Sequence, residues 1–419
     1  MSYLNSSQIK TIIDKLGSEY DNLIETRGRL ETDCSKLREM IENQITQIQS
    51  INNDFEKLRT DYQQHVQNKT NTGYVAESNA IPKEEESTEN WQVKQINPSQ
   101  EIDNPVTISL LAEIVDISVI CSTAFSPNNT CLAIGSNRTL RIYNIQEDDF
   151  VLQYTISDGN TSEANHIRSL TWTPDSKYVI CGGEDHYIRV FEIENKSLLA
   201  TIEAGIGEVF QIQCAHKENY FATVTGDGAL SLWKQDKYTK LWSSKRPGKD
   251  VVATSLSISD DDKTIAVGFQ DNSLVFWDVE SQSIIYQHEC HSSGIYATQY
   301  LPGNKRIITS GLDSDINIWD VEKNGKEISM KLWKKLEGHT SYVLTLSIDA
   351  TGKWLLSGSK DLKVILSSLE KGEMYYSIEA HTNTIITVSF NQSGNMFCTG
   401  SGDKSVKIWS LAVEQPVQE

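Results

Sequence analysis

The feature that most constrains the fold is a sequence unit that recurs seven times in the C-terminal part of the chain. Each copy has a short turn with an acidic or amide residue, and successive turns lie 42 to 48 residues apart. The turn residues are Asn137, Asp185, Asp227, Asp271, Asp313, Asp361 and Asp403. Tandem repeats of this length indicate units that bury their apolar faces against their neighbours.

Each repeat has the pattern of a small antiparallel sheet. An apolar run such as TIAVGFQD (264–271) or WLLSGSKD (354–361) leads into the turn, and a large residue usually follows six positions later. The residues at that position are Tyr143, Phe191, Trp233, Trp277, Trp319, Ser367 and Trp409. Alternating strands bounded by Gly, Ser, Asp and Asn turns predict four-stranded blades, so the repeats predict an all-β seven-bladed propeller.

Three repeats share a further set of polar residues. A His precedes a Ser or Thr by 18 positions, the turn Asp by 22 and, in two of the repeats, a Trp by 28. The sets are His291, Thr309, Asp313 and Trp319; His339, Ser357 and Asp361; and His381, Thr399, Asp403 and Trp409. In a blade these groups can form a hydrogen-bonded chain between the His, the Asp, the hydroxyl and the indole N–H, which satisfies polar groups in a buried place.

The same residue types also occur in catalytic triads. Recurrence at fixed offsets in three repeats favours a structural role instead. The sequence has no Gly-rich phosphate loop, nucleophile elbow or metal-ligand cluster. We therefore expect a recognition protein without a cofactor, and not an enzyme.

A strand before the first repeat is expected to close the ring. The segment TISLLA (107–112) lies where an outer strand would precede the first blade. It should pair with the last blade, whose other strands come from residues 384–410, because closure removes both free strand edges.

The repeats resemble the WD-repeat family. The resemblance rests on WDVE at 277–280, IWDVE at 318–322, LEGH at 336–339 and GDKSVKIWS at 402–410. The first repeat departs from the family pattern with Asn137, and the first four repeats lack the His. Because of these departures, the family pattern does not predict the polar network of those blades, but it still predicts the fold.

The resemblance also implies a partner-binding surface on the narrower face of the propeller. In similar proteins, the residues beside the first apolar position of each inner strand, and the residue before each turn, surround the channel there. In this chain they are His166, Arg168, Glu184, Glu208, Phe210, Gln270, Tyr296, Leu312, Tyr342, Leu344, Lys360 and Ile386. Aromatic, aliphatic and Arg side chains anchor protein interfaces. The alternative for Leu344 and Ile386 is that they pack inward.

The net charge limits the kinds of partner. The chain has 38 Lys and Arg against 57 Asp and Glu, a net charge of −19. Direct binding to nucleic acid depends on basic surfaces and is disfavoured, whereas basic partners are favoured. The 7 Cys form no CxxC pair, which indicates a reducing compartment. No apolar run is long enough to predict a membrane span.

The first 66 residues show a heptad pattern in place of the repeat. The apolar seam contains Ile9, Ile13, Leu16, Leu23, Leu30, Leu37, Ile41, Ile48, Ile51, Phe55 and Leu58. This pattern predicts a helical oligomerisation segment, as a coiled coil or bundle, because a long single helix cannot bury the seam on itself. Additional apolar residues at Ile12, Ile24 and Ile45 favour more than two helices. The alternative is that this helix packs on the propeller.

Residues 67–105 are polar and acidic without periodicity, which predicts a linker. Trp91 and Val93 stand out within it. They could form a short docking motif, although an incidental aromatic is the favoured interpretation. The propeller is predicted for residues 106–412 and a tail for 413–419.

Three stretches resemble the fungal Tup-type general corepressors, which are related to Groucho. They are residues 166–199, 337–368 and 381–410, and the resemblance is strongest at IENK, GSKD and CTGSGD. The order of helical segment, linker and seven blades is also similar, although the linker here is short. The resemblance implies a nuclear homotetramer that joins a TPR-repeat partner through its helices, is recruited by DNA-bound repressors, and contacts histone tails and deacetylases.

Two other classes of propeller stay open. A G-protein beta-type subunit also pairs a helix with seven blades, but its helix runs almost directly into the propeller, whereas residues 67–105 intervene here. An adaptor for ubiquitin ligases or vesicle coats is not distinguished by the sequence, because propellers serve all these roles.

Overall fold

The structure, a computed structural model, describes residues 91–97, 105–156, 165–324 and 327–413. These residues form seven antiparallel sheets, and the predicted seven-bladed all-β propeller is confirmed. The predicted helical segment at 1–66, most of the predicted linker and residues 414–419 lie outside the described residues.

The strands follow the predicted repeat, and the first strand of each unit lines the central channel. Before the first repeat come β1 (Gln92–Gln95) and β2 (Val106–Val115). Blade 1 contains β3 (Ser122–Phe125), β4 (Cys131–Gly135), β5 (Thr139–Asn144) and β6 (Asp149–Thr155). Blade 2 contains β7 (Ser169–Trp172), β8 (Tyr178–Gly182), β9 (Tyr187–Glu192) and β10 (Ser197–Glu203). Blade 3 contains β11 (Val209–Cys214), β12 (Tyr220–Thr225), β13 (Leu230–Lys234) and β14 (Lys240–Ser244).

The remaining blades continue the same order. Blade 4 contains β15 (Ala253–Ile258), β16 (Thr264–Phe269), β17 (Ser273–Asp278) and β18 (Ser283–Glu289). Blade 5 contains β19 (Ile295–Tyr300), β20 (Arg306–Gly311), β21 (Ile316–Asn324) and β22 (Glu327–Leu336). Blade 6 contains β23 (Val343–Ile348), β24 (Trp354–Ser359), β25 (Lys363–Ser368) and β26 (Glu373–Glu379). Blade 7 contains β27 (Ile385–Phe390), β28 (Met396–Ser401) and β29 (Ser405–Val413).

The turn between the second and third strands explains the recurrent Asp. The residue after it has a left-handed backbone in every blade, for example Leu362 with φ 73° and Lys404 with φ 72°. The Asp403 carboxylate accepts a hydrogen bond from the Ser405 amide at 3.0 Å, and four other turn Asp residues make the equivalent bond. An acceptor on the side chain thus stabilises a tight turn that would otherwise favour Gly.

The core lies between the blades. The residue six positions after the turn packs on the preceding blade: Trp409 lies in one cluster with Leu366 of blade 6, and its ring stacks on Phe397 at 5.9 Å. Trp277 and Trp409 are the largest fully buried side chains among the described residues. Burial of this apolar surface is the main favourable term in the stability of each blade pair.

The last blade closes the ring as the sequence predicts. Strand β2 pairs antiparallel with β29, from Val106 opposite Val413 to Val115 opposite Ser405. Blade 7 then packs directly on blade 1, where a Cβ on Gly400 would lie 2.6 Å from the Ile120 side chain. Glycine is therefore required at position 400 for the two blades to approach this closely.

Blade 6 has one strand more than the repeat predicts. Strand β1, from the predicted linker, pairs antiparallel with the outer strand β26. Residues 92–95 therefore belong to the propeller. The sequence did not predict this strand because four residues of mixed polarity are too short to show a period-two pattern.

Candidate partner-binding face

The channel is lined at one level by one side chain from each blade. Each inner strand is preceded by or begins with a buried residue, such as Ile167 or Val343, and the next side chain points to the channel because side chains alternate along a strand. The seven lining residues are Cys121, Arg168, Phe210, Thr254, Tyr296, Leu344 and Ile386, which together with deeper residues enclose a cavity of about 280 Å³.

Five of these seven lining residues were predicted from the sequence. Leu344 and Ile386 are half-buried and face this cavity. Cys121 and Thr254 were not predicted because neither side chain is charged, aromatic or aliphatic. They occupy the same offset from the buried residues Ile120 and Ala253, so the repeat alone could have found them.

A recurrent backbone hydrogen bond places the other predicted residues on the same edge of the blades. The residue before the turn donates its amide to the residue before the inner strand, as Lys360 does to the Tyr342 carbonyl at 2.9 Å and Glu184 to that of His166 at 3.2 Å. Leu312 and Gln270 make the equivalent bonds in blades 5 and 4. Because the first channel-lining residue follows within two positions, the predicted residues surround one mouth of the channel.

One sector of this mouth is charged and paired internally. The Arg168 Nη2 donates to Glu184 Oε1 at 2.5 Å, and its Nε lies 3.8 Å from Glu208 Oε2. His166 Nδ1 lies 2.9 Å from the other oxygen of Glu184. Burial by itself would raise the pKa of Glu184, but the hydrogen bonds from His166 and the charge of Arg168 outweigh it and lower the pKa.

The opposite sector, from blades 5 and 6, is more apolar, and its blade 6 part is open. Tyr342 is 43% exposed, and the Lys360 Nζ lies 5.2 Å from the centre of its ring, at cation–π distance. Leu362, two residues beyond Lys360, is 39% exposed. An exposed aromatic and an exposed aliphatic side chain beside a cation are typical of the anchor residues of protein interfaces.

Two exposed aliphatic residues were not predicted. Ile117 is 84% exposed and Ile206 is 76% exposed, and each lies in a loop that leads into an inner strand. Ile206 stands between two glycines, Gly205 and Gly207, both with positive φ. The sequence signal at both positions was an isolated aliphatic residue in a loop, which is too common to indicate a binding site.

The structure joins the three predicted polar sets into buried chains. In blade 5, His291 Nδ1 lies 2.9 Å from Asp313 Oδ1 and Nε2 lies 2.8 Å from Thr309 Oγ1, which also accepts the Trp319 indole N–H at 2.9 Å. Blade 7 repeats this with 2.9 Å between His381 and Asp403, 2.7 Å between His381 and Thr399, and 3.1 Å between Trp409 and Thr399.

Blade 6 has the same chain without its last member. His339 lies 2.9 Å from Asp361 and 2.8 Å from Ser357. Ser367 stands where the indole would be, and its buried hydroxyl has no hydrogen-bond partner. Met374, opposite Ser367 in the sheet, belongs to the apolar cluster between blades 5 and 6. We attribute to Met374 the filling of the space that the missing aromatic leaves.

The burial of the three polar sets indicates a structural role. The side chains of His291, His339 and His381 have no solvent exposure, so a substrate could not reach them in this conformation. Burial alone would raise the pKa of Asp403, but hydrogen bonds from His381 and Ser405 lower it well below its ordinary value. The charged carboxylate is therefore the stable form in the turn.

The described residues contain no cluster of His, Cys, Asp or Glu arranged to hold a metal ion. All six cysteines within the described ranges are free thiols. Burial raises the pKa of Cys181 and Cys398 to about 12, which makes their thiolates scarce at neutral pH. No helix in this part of the chain has the length and apolar character of a membrane span.

Two family models match the blades. The model described as "WD domain, G-beta repeat" matches residues 116–144, 152–192, 330–366 and 372–410. The model described as "Anaphase-promoting complex subunit 4 WD40 domain" matches residues 212–301. The repeat unit defined by the turns is thus the WD repeat.

Several curated proteins are similar over the propeller at low identity. "Transcription factor unc-37" of Caenorhabditis elegans is 21% identical over 262 residues, 61% of this chain and 41% of that protein. "Protein groucho" of Drosophila melanogaster is 22% identical over 245 residues, 58% of this chain and 32% of that protein. "DmX-like protein 1" of Mus musculus is 22% identical over 230 residues, 51% of this chain and 7% of that protein. The chain spans less than half the length of each relative.

Proposed function

We propose that this chain, a protein of WD repeats with resemblance to the Groucho and Tup-type corepressors, is a transcriptional corepressor scaffold and that its channel face binds a short segment of a recruiting repressor. The observation that carries the proposal is the convergence of side chains from all seven blades at one mouth of the channel. Phe210 also packs against an inter-blade core, and the Thr254 hydroxyl is hydrogen-bonded within the ring. Tyr296, Leu344 and Ile386 line the cavity without belonging to an inter-blade cluster, so their chemistry is free for a partner.

The properties of the mouth favour a particular kind of segment. Tyr342, Leu362 and Tyr296 offer aromatic and aliphatic contacts, while Glu184 and Glu208 are negatively charged next to Arg168. An extended or helical segment that places apolar side chains over the blade 5 and 6 sector would bury these contacts. A basic residue of the same segment could approach the carboxylates, in agreement with the net charge of −19.

The oligomeric part of the proposal rests on the heptads. We propose that residues 1–66 assemble as a helical bundle, a homotetramer by resemblance, which also binds a TPR-repeat partner. Several propellers on one bundle would raise the apparent affinity for repressors and for histone tails by avidity. Sedimentation equilibrium of residues 1–66 should show a trimer or tetramer. A monomer at high micromolar concentration would contradict this part.

Affinity purification followed by mass spectrometry tests the whole proposal. Full-length protein from nuclear extract should recover a TPR-repeat protein, DNA-bound repressors and histone deacetylases. Recovery of a small prenylated gamma-type subunit would instead support a G-protein beta-type role, and recovery of ubiquitin-ligase or vesicle-coat components would support an adaptor. A Tyr296→Ala and Tyr342→Ala double variant is the control for the face, and it should lose the repressors but keep the TPR-repeat protein.

A further inference from the structure

The extra strand of blade 6 has features of a bound peptide. Within the described residues, blade 6 is the only sheet with five strands, and its fifth strand, β1, comes from a segment outside the repeats. It pairs antiparallel with four residues of β26, from Gln92 opposite Glu379 to Gln95 opposite Tyr376. This is the geometry of β-augmentation, in which an extended segment adds to an exposed sheet edge.

Three side chains define what this edge recognises. The Trp91 ring meets the Trp409 ring edge to face at 5.3 Å between blades 6 and 7. Val93 lies opposite Ile378 and packs against the same apolar cluster. Lys94 Nζ lies 3.1 Å from the Glu379 carboxylate. The edge therefore accepts an aromatic residue, a β-branched residue two positions later, and a basic residue after that.

The outer strand β26 is unlike the outer strands of other blades. Strands β10 and β18 expose every second residue at their C-terminal ends, as expected for an edge that faces solvent. In β26, which β1 covers in part, Met374, Tyr375 and Ile378 are buried and only Glu373 is exposed. Met374 and Tyr375 are buried in the apolar clusters on the two sides of blade 6, whereas Ile378 lies opposite Val93 of β1. A covering strand protects an apolar residue such as Ile378 on an outer strand, because an uncovered edge would invite aggregation.

The fit of β1 to this edge is incomplete. The Trp91 indole N–H and the Ser377 hydroxyl are buried here without a hydrogen-bond partner, and β1 pairs with only part of the seven-residue β26. The Lys94 and Glu379 side chains are 55% and 44% exposed, so their ion pair contributes little to affinity and acts mainly on selectivity. A segment that satisfied these two groups or paired over a greater length would bind more tightly.

We propose that the edge of β26 is a second docking site, for an extended segment of another protein with the pattern aromatic–any–β-branched–basic, and that β1 occupies this site in cis until such a segment displaces it. This site is on the blade circumference and does not rest on the function proposed for the channel face. Displacement would also release residues 91–97 from the edge of blade 6.

The probe is a fluorescein-labelled peptide with the sequence of residues 89–97. It is added to three full-length proteins: the wild type, a Trp91→Ala and Val93→Ser double variant in which β1 is weakened, and a Gln92→Ser control on the exposed side of the same strand. Fluorescence anisotropy should show saturable binding to the double variant at least tenfold tighter than to the wild type or control. A peptide with Ala in place of its Trp should bind the double variant at least tenfold more weakly.

Two outcomes of the peptide titration would overturn the proposal. One is the absence of peptide binding to a double variant that keeps the wild-type melting temperature, and the other is equal binding to all three proteins. Light scattering tests whether β1 on each blade 6 comes from a second copy of the chain. If the double variant forms a smaller assembly than the wild type, the strand is exchanged between copies, which would overturn the cis assignment. If the double variant does not fold, hydrogen exchange of the wild type decides, since excess peptide should increase deuterium uptake at residues 92–95 and unchanged uptake would contradict displacement.

Discussion

The blade interior and the channel mouth use neighbouring residues for different purposes. The Asp361 side chain is 4% exposed and accepts hydrogen bonds from His339 and from two backbone amides. Lys360, immediately before it, is exposed and contacts Tyr342, which is 43% exposed. One turn therefore supplies a buried group for stability and an exposed group for recognition, so substitutions at adjacent positions should affect different properties.

The carboxylate of the turn Asp has different hydrogen-bond partners in two parts of the ring. In blade 7 a buried His381 connects Asp403 to Thr399 and so to Trp409. In blade 4 the Asp271 carboxylate instead receives two hydrogen bonds from Arg246, both at 2.9 Å.

The tryptophan of blade 4 bonds elsewhere. The Trp277 indole donates to Ser244 at 3.3 Å, so turn and tryptophan are not connected by one hydrogen-bonded chain. The fold therefore requires a hydrogen-bond partner for the turn Asp, but not a particular one. The difference between the two blades also predicts which substitutions should be coupled.

The largest effect on stability is expected inside blade 7. Trp409→Ala should lower the free energy of unfolding by about 3–5 kcal/mol, because it empties a large, fully buried site and leaves a cavity between blades 6 and 7. Urea denaturation measures this loss. Tyr342→Ala is the matched control at the mouth, and an equal loss for the two variants would remove the distinction between interior and mouth.

A smaller effect is expected at the turn. Asp403→Ala should lower the free energy of unfolding by about 1–3 kcal/mol at neutral pH, because His381 and the Thr382 amide lose their acceptor. The folded-state pKa of Asp403 is below its ordinary value, so its contribution is complete above about pH 4 and is lost as the pH falls through the folded-state pKa. Denaturation from pH 7 to pH 3 should therefore show the difference from wild type shrinking at acid pH. A constant difference would contradict the charged carboxylate.

The hydrogen-bonded chain predicts coupling in blade 7 and not in blade 4. A double-mutant cycle of Asp403→Ala with Trp409→Phe should give an interaction energy of about 0.5–3 kcal/mol, because one chain joins the two side chains. The matched cycle of Asp271→Ala with Trp277→Phe should be additive within about 0.5 kcal/mol. Equal interaction energies in both blades would mean that the chain itself is not the coupling element.

Features of the fold that lie at a fixed position within each repeat could be predicted from the sequence. Blade number, ring closure by β2 and the contacts of His291 and His381 all depend on spacing and agree with the structure. The lining positions depend on spacing as well, because side-chain direction alternates along each inner strand.

The remaining features depend on tertiary contacts without a fixed offset. Arg246 takes the place of the His in blade 4. It lies 25 residues before Asp271, whereas the His of other blades lies 22 residues before the turn Asp, and its long side chain still reaches the carboxylate. Met374 packs where blade 6 lacks an aromatic, and only the sheet register places it opposite Ser367. Strand β1 is placed by its pairing with β26 and by the packing of Trp91 and Val93 on the core between blades 6 and 7, which its own four residues do not indicate.

The smallest effect on stability, and the most direct test of the proposed binding face, is expected at Tyr296 and Tyr342. Each Tyr→Ala change should leave the melting temperature nearly unchanged, because Tyr296 lines the channel cavity, Tyr342 is exposed, and neither belongs to an inter-blade cluster. Loss of an interface anchor should weaken binding of a recruiting repressor by about 2 kcal/mol or more, roughly 30-fold.

The deciding measurement combines repressor affinity, thermal melting and a repression reporter for the wild type and the two Tyr variants. Reduced affinity and lost repression at an unchanged melting temperature are the predicted result. Folded Tyr296→Ala and Tyr342→Ala proteins that still repress a reporter through the natural repressors would show that the channel mouth is not the recruiting surface.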